Sequence, residues 1–529
     1  MSQKKKNRQD ARAPAPPPAQ PEAPAEQPLT RTHVVFLVLV VLLGGALCFW
    51  GLDNQSLELD ELWTWCMSDY PTMESMFTDG KAKMDIHPPL HHMLYYAVEK
   101  YVGTSPMVLR LPSAIAGFLA VPVVFLLGRR LYSNRVGLIA AGLLAVLYQE
   151  VFYSQQARAN ALLVFLAALS VWLGIAVVRA LVGAGRARWW AHVGFGATVF
   201  ALGYMHYFGL LLVGLEGIAA ALIVLVRRPR NVLLLGFYYV PLLAGFAVWV
   251  SIWIWGGAEG SHFDAPSLGR IVYWIAWALN PYWTWGAWAS WAGVALIAWA
   301  AARDGFDGFR PAENRDRPAT PYAGLLLLLW LAAPFAIIYA SALVGPSTYN
   351  ERNFTICLPA LALLLARGID RLPGPKGVGA GVAVALVAGL LFGLIFVTKY
   401  YSTPRKDQFR EAVYWTAEKS KDPRYAGAAI VGYMCDNRFY NYYFERCGSD
   451  RRIDFRLRKE YIDEDIERLQ AFVRARRLGA FWLVWAHWRP EKHTPRLEAF
   501  LKTQYTLVPS ESKKLFDAEV RFYRTVPPD

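Results

Sequence analysis

Long apolar runs separated by short polar connections dominate this chain. Runs that match the roughly 20 residues a helix needs to cross a bilayer fall near 33–51, 106–128, 136–152, 160–179, 190–206, 208–226, 232–255, 287–302, 322–344, 353–367 and 377–398. The pattern predicts a polytopic α-helical membrane protein with about eleven transmembrane helices. The least regular stretch is 190–226, where two helices meet at a tight turn around Met205-His206-Tyr207-Phe208-Gly209. Arginines recur in every second connection: Arg129, Arg130 and Arg135 after the second run, Arg179, Arg186 and Arg188 after the fourth, and Arg227, Arg228 and Arg230 after the sixth. Arg303 and Arg310 follow the eighth run, and Arg367 and Arg371 the tenth. Cytoplasmic loops carry such an excess, which predicts a cytoplasmic N-terminus and a C-terminus on the periplasmic or extracellular side.

Residues 1–30 are Lys-rich and then dominated by Ala, Pro and Gln, and they read as a disordered cytoplasmic tail. The first apolar run is too long for a signal-peptide core and lacks a small-residue cleavage site, so it is expected to stay as a span. A membrane module is predicted over 31–400, with a first external loop at 52–105. Within that loop, 57–79 and 88–101 mix aromatic, apolar and charged residues, as amphipathic helices lying in the interface would. Residues 401–529 turn hydrophilic. Ala428 to Tyr433 and Phe481 to Trp485 read as buried strands and Glu460 to Arg477 as a helix, which predicts a small external C-terminal α/β domain. Placed outside, Cys435 and Cys447 become candidates for a disulfide.

Composition agrees: 55% hydrophobic and 18% charged, with a mean hydropathy of +0.24. The net charge of +14 would suit a nucleic-acid partner, but the basic residues are scattered among connections, and no nucleic acid is expected. The chemistry collects on the external side. Leu57-Glu58-Leu59-Asp60-Glu61-Leu62-Trp63 puts an acidic pair just beyond the first span. The pair could simply cap an interfacial helix. Alternatively, Asp60 could serve as a general base toward a hydroxyl, with Glu61 beside it. Trp63 and Trp65 suit a sugar or lipid interface. The segment Asp85-Ile86-His87-Pro88-Pro89-Leu90 offers Asp85 and His87 as substrate-binding candidates, although its prolines would also start a helix. His91 and His92 are expected to face the interface. Arg158, after Tyr153-Ser154-Gln155-Gln156-Ala157, and Arg352, within Tyr349-Asn350-Glu351-Arg352-Asn353, run against the orientation trend. Arginine suits a phosphate. Arg352 with Tyr349 is read as a phosphate site, and Arg158 as a structural ion pair or a further substrate contact. Glu216 reads as a hydrogen-bonded residue between helices. The tryptophans of 250–292 fit an aromatic belt or an isoprenoid groove.

These motifs together resemble the membrane-embedded GT-C glycosyltransferases: Asp-Glu in the first loop, His-Pro-Pro-Leu, Arg-Leu-Pro-Ser before the second span, Tyr-Ser-Gln-Gln-Ala-Arg, and Asn-Glu-Arg-Asn-Phe before a late span. The likeness covers most of 33–400. It is to the bacterial branch related to protein O-mannosyltransferases and to the aminoarabinose transferase of lipid A. The resemblance implies a bacterial inner-membrane enzyme that moves a sugar, with inversion, from a polyprenyl-phosphate donor to an acceptor hydroxyl of a glycan, lipid A or a protein. It implies that Asp60 is the base, that Glu61 supports it, and that Arg352 holds the lipid phosphate. Relatives commonly carry an acid where this chain has Gln156, so no cofactor is required by the residues, and a divalent cation stays open as the one candidate. Two other readings compete. A lipid or glycan transporter or flippase would show internal repeats and midplane charges, and a degenerate member would serve as a scaffold.

Overall fold

The computed structural model describes residues 28–81, 87–256, 267–280, 286–308, 323–345, 347, 349–375, 377–425 and 427–525. Asp85, the tail 1–27, residues 257–266 and residues 281–285 with Trp283 and Trp285 lie outside the described residues. Each of the eleven apolar runs coincides with a helix or a broken helix. Among the described residues eight helices are long and apolar enough to cross a membrane, or nine when the bent pair Asn134–Val146 and Tyr148–Ser154 is taken as one span. The runs at 190–206 and 287–302 form helices, Trp189–Met205 and Gly286–Gly308, but fall outside that set.

Sequence places the helix ends. Thr30 caps the first span Arg31–Phe49 by accepting from the His33 amide, and Ser105 caps Pro106–Leu131 by accepting from the Val108 amide. Such hydroxyls satisfy amides that a helix start leaves open. The span Glu351–Asp370 begins as a 3-10 turn, Glu351–Cys357, capped by the Asn350 side chain, and lies at the centre of the bundle. At Leu147 the chain bends by 60°. That bend turns Gln155 under the end of the first span, where its Nε2 donates to the carbonyls of Leu47, Cys48 and Trp50. Glu216 accepts from the Ser170 hydroxyl at 2.7 Å, as a residue bonded between helices.

The C-terminal domain is a mixed six-stranded sheet built from β1 (Ala429–Tyr433), β2 (Phe455–Leu457), β3 (Ala480–Ala486), β4 (Tyr505–Leu507), β5 (Lys513–Lys514) and β6 (Ala518–Thr525). The order is β2-β1-β3-β6-β4, with β5 also on β6; β1 runs parallel to β2 and β3, and β6 is antiparallel to β3, β4 and β5. Side chains alternate with the period of two that a strand imposes. Ala429, Val431 and Tyr433 with Phe481, Leu483 and Trp485 face the helix Ile462–Ala475 and Leu497 and Leu501. Ile430 with Trp482 and Val484 faces the other way, in one core with Phe439, Tyr440 and Tyr443. That second core extends into the first loop through Leu57, Leu62, Cys66 and Tyr95. The loop helices Leu59–Ser68 and Leu90–Tyr101 exist, but they are sandwiched between bundle and sheet instead of resting on the interface. His91 and His92 are accordingly buried.

One expectation is corrected. Cys435 and Cys447 are both free thiols. They flank the helix Asn437–Arg446, whose ten residues at ~1.5 Å each hold its ends about 15 Å apart, whereas a disulfide needs Cα atoms within ~7 Å. The Cys435 thiol donates to the Ala486 carbonyl and the Cys447 thiol to the Phe444 carbonyl. A thiol titration of the purified chain in denaturant without reductant is expected to count all five cysteines. A count of three would restore the disulfide.

Candidate active site

Asp60 and Glu61 are neighbours on one short helix, and successive residues there point about 100° apart. That rotation separates them completely. Glu61 turns inward and is fully buried. Its carboxylate accepts from Arg110 Nε at 2.7 Å and Nη2 at 2.8 Å, from Lys406 Nζ at 3.0 Å, and from the Ala157 amide at 2.9 Å. It also accepts from the Glu58 amide at 3.1 Å, which caps its own helix. Burial pushes the carboxyl up, but Arg110 and Lys406 outweigh it and hold Glu61 well below the usual carboxylate range, at about 2. Arg110 spends its remaining donors on the carbonyls of Leu52, Gln55 and Ser56. Glu61 therefore joins the second span, the turn after the 60° bend and the connector to the sheet domain, and it does not line the cavity.

Asp60 turns outward, into a cavity of about 1150 Å³ between the bundle and the sheet domain. His87, Arg158 and Arg352 line the same cavity, so four of the residues picked from sequence meet there. Arg352 Nη1 donates to Asp60 Oδ2. Arg158 forms no carboxylate pair among the described residues. Its Nη1 donates to the Asp60 carbonyl at 3.3 Å and the Thr64 hydroxyl at 3.1 Å, which leaves its charge facing the cavity. Burial raises the Asp60 carboxyl, yet Arg158, Arg352 and His487 together hold it below its ordinary value, so it is charged at neutral pH. His87 stands 4.9 Å from the His206 ring and 6.1 Å from Tyr207. His91 Nε2 lies 3.3 Å from the Thr64 hydroxyl.

Tyr349 is not on the cavity wall. It packs on Phe354 at 5.3 Å, with the Arg270 guanidinium 5.4 Å from its ring centre. Gln156, where relatives carry an acid, donates to Glu58 Oε1 at 2.7 Å. Burial, against the pull of Lys406, pushes the Glu58 carboxyl up to about 8, so it adds no second anion at pH 7. Among the described residues no group of three or more His, Cys, Asp or Glu side chains could hold a metal ion. Of the carboxylates on the cavity wall, Asp60 is already paired with Arg352, and Asp436 lies beside Arg438 and Arg456.

Toward the membrane the wall turns apolar, with Leu163, Met205, Phe208, Phe246 and Ile337 contributed by five different helices. Toward the sheet it is polar and aromatic. The chain carries the GT-C fold. Residues 86–255 match the family model for dolichyl-phosphate-mannose-protein mannosyltransferase. ArnT from Cupriavidus metallidurans in the apo state superposes with a TM-score of 0.57 at 14% identity, covering 93% of this chain and 98% of that one. The same protein bound to undecaprenyl phosphate gives 0.55 at 15% identity, with the same coverage. No curated protein matches by sequence. At such identities the likeness speaks for the fold.

Sequence reasoning passed over two residues of the Glu61 node. Arg110 was visible inside Arg-Leu-Pro-Ser but carried no assigned role, and Lys406 gave no local signal at all. Glu61→Gln leaves two buried cations without their anion, and breaking one side of a buried ion pair costs about 3–5 kcal/mol. The folded-state pKa of Glu61 is depressed, so the unfolded chain binds the extra proton. The stability Glu61 contributes is full above about 4.5 and is lost as pH falls toward about 2. Thermal unfolding across pH is expected to show a large wild-type advantage over Glu61→Gln at pH 7 that shrinks below pH 4.5. Equal stability at pH 7 would remove Glu61 from the centre of the structure.

Proposed function

We propose that this chain is an inverting glycosyltransferase that moves a sugar from a polyprenyl-phosphate donor to an acceptor hydroxyl at the external face of the membrane. The observation that carries the reading is the single cavity that combines the ionised Asp60, the cations Arg352 and Arg158, and an apolar wall between spans. Its three parts match the demands of the reaction. The polyprenyl tail needs an apolar slot. The departing phosphate gains a second negative charge as the sugar C1–O bond breaks, and fixed cations stabilise that charge in a site shielded from water. The attacking hydroxyl must lose a proton as its oxygen bonds C1 from the opposite side, and a carboxylate within hydrogen-bond reach accepts it.

In the ligand-free chain Asp60 and Arg352 satisfy each other. A donor phosphate competes with Asp60 for Arg352, and as that pairing weakens the carboxylate becomes both freer and more basic. Arg158, which pairs with no carboxylate among the described residues, can meet a second phosphate oxygen. ArnT has been captured with undecaprenyl phosphate, which supports a polyprenyl-phosphate donor here. The alternation of basic connections supports a cytoplasmic N-terminus with the sheet domain outside, and the turn to hydrophilic composition after Lys399 supports dividing the chain at about residue 400.

Asp60→Asn keeps the shape of the side chain but cannot take a proton. Transfer from a radiolabelled polyprenyl-phosphate sugar in membranes should fall by about 10²–10⁴-fold, with donor binding retained. Arg352→Lys should keep part of the activity and Arg352→Ala lose most of it at an equal level of folded protein. Near wild-type transfer by Asp60→Asn would return the acidic pair to a purely structural role.

The orientation is tested separately. A reporter enzyme active only outside the cytoplasm, fused after residue 529, is expected to be active. A stable but inactive fusion would overturn the placement of the cavity on the external face.

A further inference from the structure

The half of the cavity that faces away from the membrane is built by the sheet domain, at one particular place in its topology. β1 lies between its parallel partners β2 and β3. The chain leaves β1 through the helix Asn437–Arg446 to reach β2, then returns over β1 through Ile462–Ala475 to reach β3. Those two helices pack on opposite faces of the sheet. Where successive connections leave a parallel sheet on opposite faces, a crevice opens beyond the carboxyl ends of the strands, and ligands bind there in open α/β sheets. In this chain the crevice opens onto Asp60. Asp436 follows β1, Lys459 follows β2 and Trp488 follows β3, and all three line the cavity that Asp60 lines.

The backbone is distorted at the same place. Met434 and His487, one residue beyond β1 and β3, both adopt positive φ, at 62° and 71°. Non-glycine residues rarely sit there, and such outliers gather at ligand sites. The two distortions turn the chain sharply, so that Cys435-Asp436 and Trp488 come to the cavity wall instead of continuing along their strands.

The side chains specify a chemistry. Trp488 is half-exposed and held between two imidazoles that stand nearly perpendicular to it, His487 at 4.9 Å and His493 at 4.6 Å, with the Lys459 ammonium 5.6 Å from its ring. His487 is itself fixed, since its Nδ1 lies 2.9 Å from Asp407 Oδ2. A rigid indole with one polar rim offers a flat apolar surface beside hydrogen-bonding groups. Next to it Arg456 donates to the Met434 carbonyl at 3.0 Å, with its other terminal nitrogen 3.7 Å from Asp436 Oδ2. A planar donor beside a planar acceptor matches the vicinal hydroxyls of a sugar, each of which donates and accepts. A pyranose has the complementary form: an apolar C–H face and a polar edge. An acyl chain would desolvate these polar groups and offer them no hydrogen bond in return.

We infer that the crevice at the carboxyl ends of β1, β2 and β3 is the acceptor subsite, and that it binds a saccharide by stacking a pyranose on Trp488 with its hydroxyl edge toward Arg456 and Asp436. This rests on the transferase reading above. The sheet domain is then not an appendage but the half of the site that presents the acceptor hydroxyl to Asp60. The saccharide can be a free glycan or the headgroup of a glycolipid, which share this chemistry.

The test uses the full chain in lipid nanodiscs, radiolabelled polyprenyl-phosphate hexose and pentose as donors, and the envelope fraction of the cells the chain comes from as acceptor. Two products are counted, sugar released to water and sugar transferred. Trp488→Ala is expected to lower the ratio of transfer to hydrolysis about ten-fold through a raised acceptor KM, and Trp488→Phe to restore most of it. Lys459→Ala, at an exposed position where folding is not at risk, should lower the ratio about three-fold. Unchanged ratios in both alanine variants would overturn the subsite while leaving the transferase reading intact. Wild-type chain that consumes neither donor would sink the transferase reading and the subsite with it. The labelled product should resist protease, and solvent extraction separates the sources, with glycolipid entering the organic phase and free glycan staying in water. A protease-sensitive product would show a protein acceptor and overturn the saccharide assignment.

Discussion

The carboxylate of Glu61 is the constraint on which the rest of the arrangement depends. It is wholly buried and accepts from Arg110, Lys406 and two backbone amides, each contributed by a different stretch of chain. An ionised carboxylate away from water is expensive unless its lone pairs are all engaged, and here they are. The requirement works in both directions. Arg110 and Lys406 are as buried as Glu61, so none of the three tolerates separation from the others. The second span, the turn after the third and the connector into the sheet domain are thus held at fixed separations.

That fixation explains how a small soluble sheet can share a cavity with a helix bundle. The loop helices Leu59–Ser68 and Leu90–Tyr101 are too short to be stable alone. They gain stability from a core continuous with Ile430, Tyr440 and Trp482 of the sheet domain. Tyr443 reinforces the junction by accepting from the Leu57 amide at 2.7 Å. Arg446 adds a second tie through its bond to the Thr104 hydroxyl at 2.8 Å. The first loop therefore acts as mortar between membrane and soluble parts, and Asp60 is displayed at the seam.

Much of this was legible in the chain, and the illegible part has a common cause. Spans could be read because hydrocarbon forces every backbone group into helix and demands a long apolar run, a one-dimensional signal. Asp60, His87, Arg158 and Arg352 could be picked out because a charge beside a span is costly enough to be conspicuous without any knowledge of its neighbours. Partnership is another matter. Asp60 and Glu61 look equivalent in sequence, and only their rotation about a helix makes one a structural node and the other a cavity residue. Lys406 lies 345 positions from Glu61, and nothing near it hints at that contact. The amphipathic loop helices were visible as helices, but the same pattern fits a lipid interface or a protein core. Burial of His91 and His92 shows that protein won.

The division of labour between Asp60 and Glu61 also sets a limit on how the site can change. Glu61 cannot move toward the cavity without stranding Arg110 and Lys406, so the helix that carries both acids is locked in rotation. Asp60 thereby receives a fixed direction although its own contacts are few and partly exposed. Its Arg352 partner comes from the start of a different span, which is tied to Asn160 through a 2.8 Å bond from Nδ2 to the Arg352 carbonyl. The cavity thus has rigid supports behind two side chains that are themselves free to exchange partners. On the proposed reading the site trades a carboxylate–arginine pair for a phosphate, and it then needs that combination: the backbone must hold while the charges re-pair. Placing the fully buried charge, Glu61, one residue away from the charge on the cavity wall, Asp60, supplies it, because the strong interaction stays made whether the cavity is empty or filled.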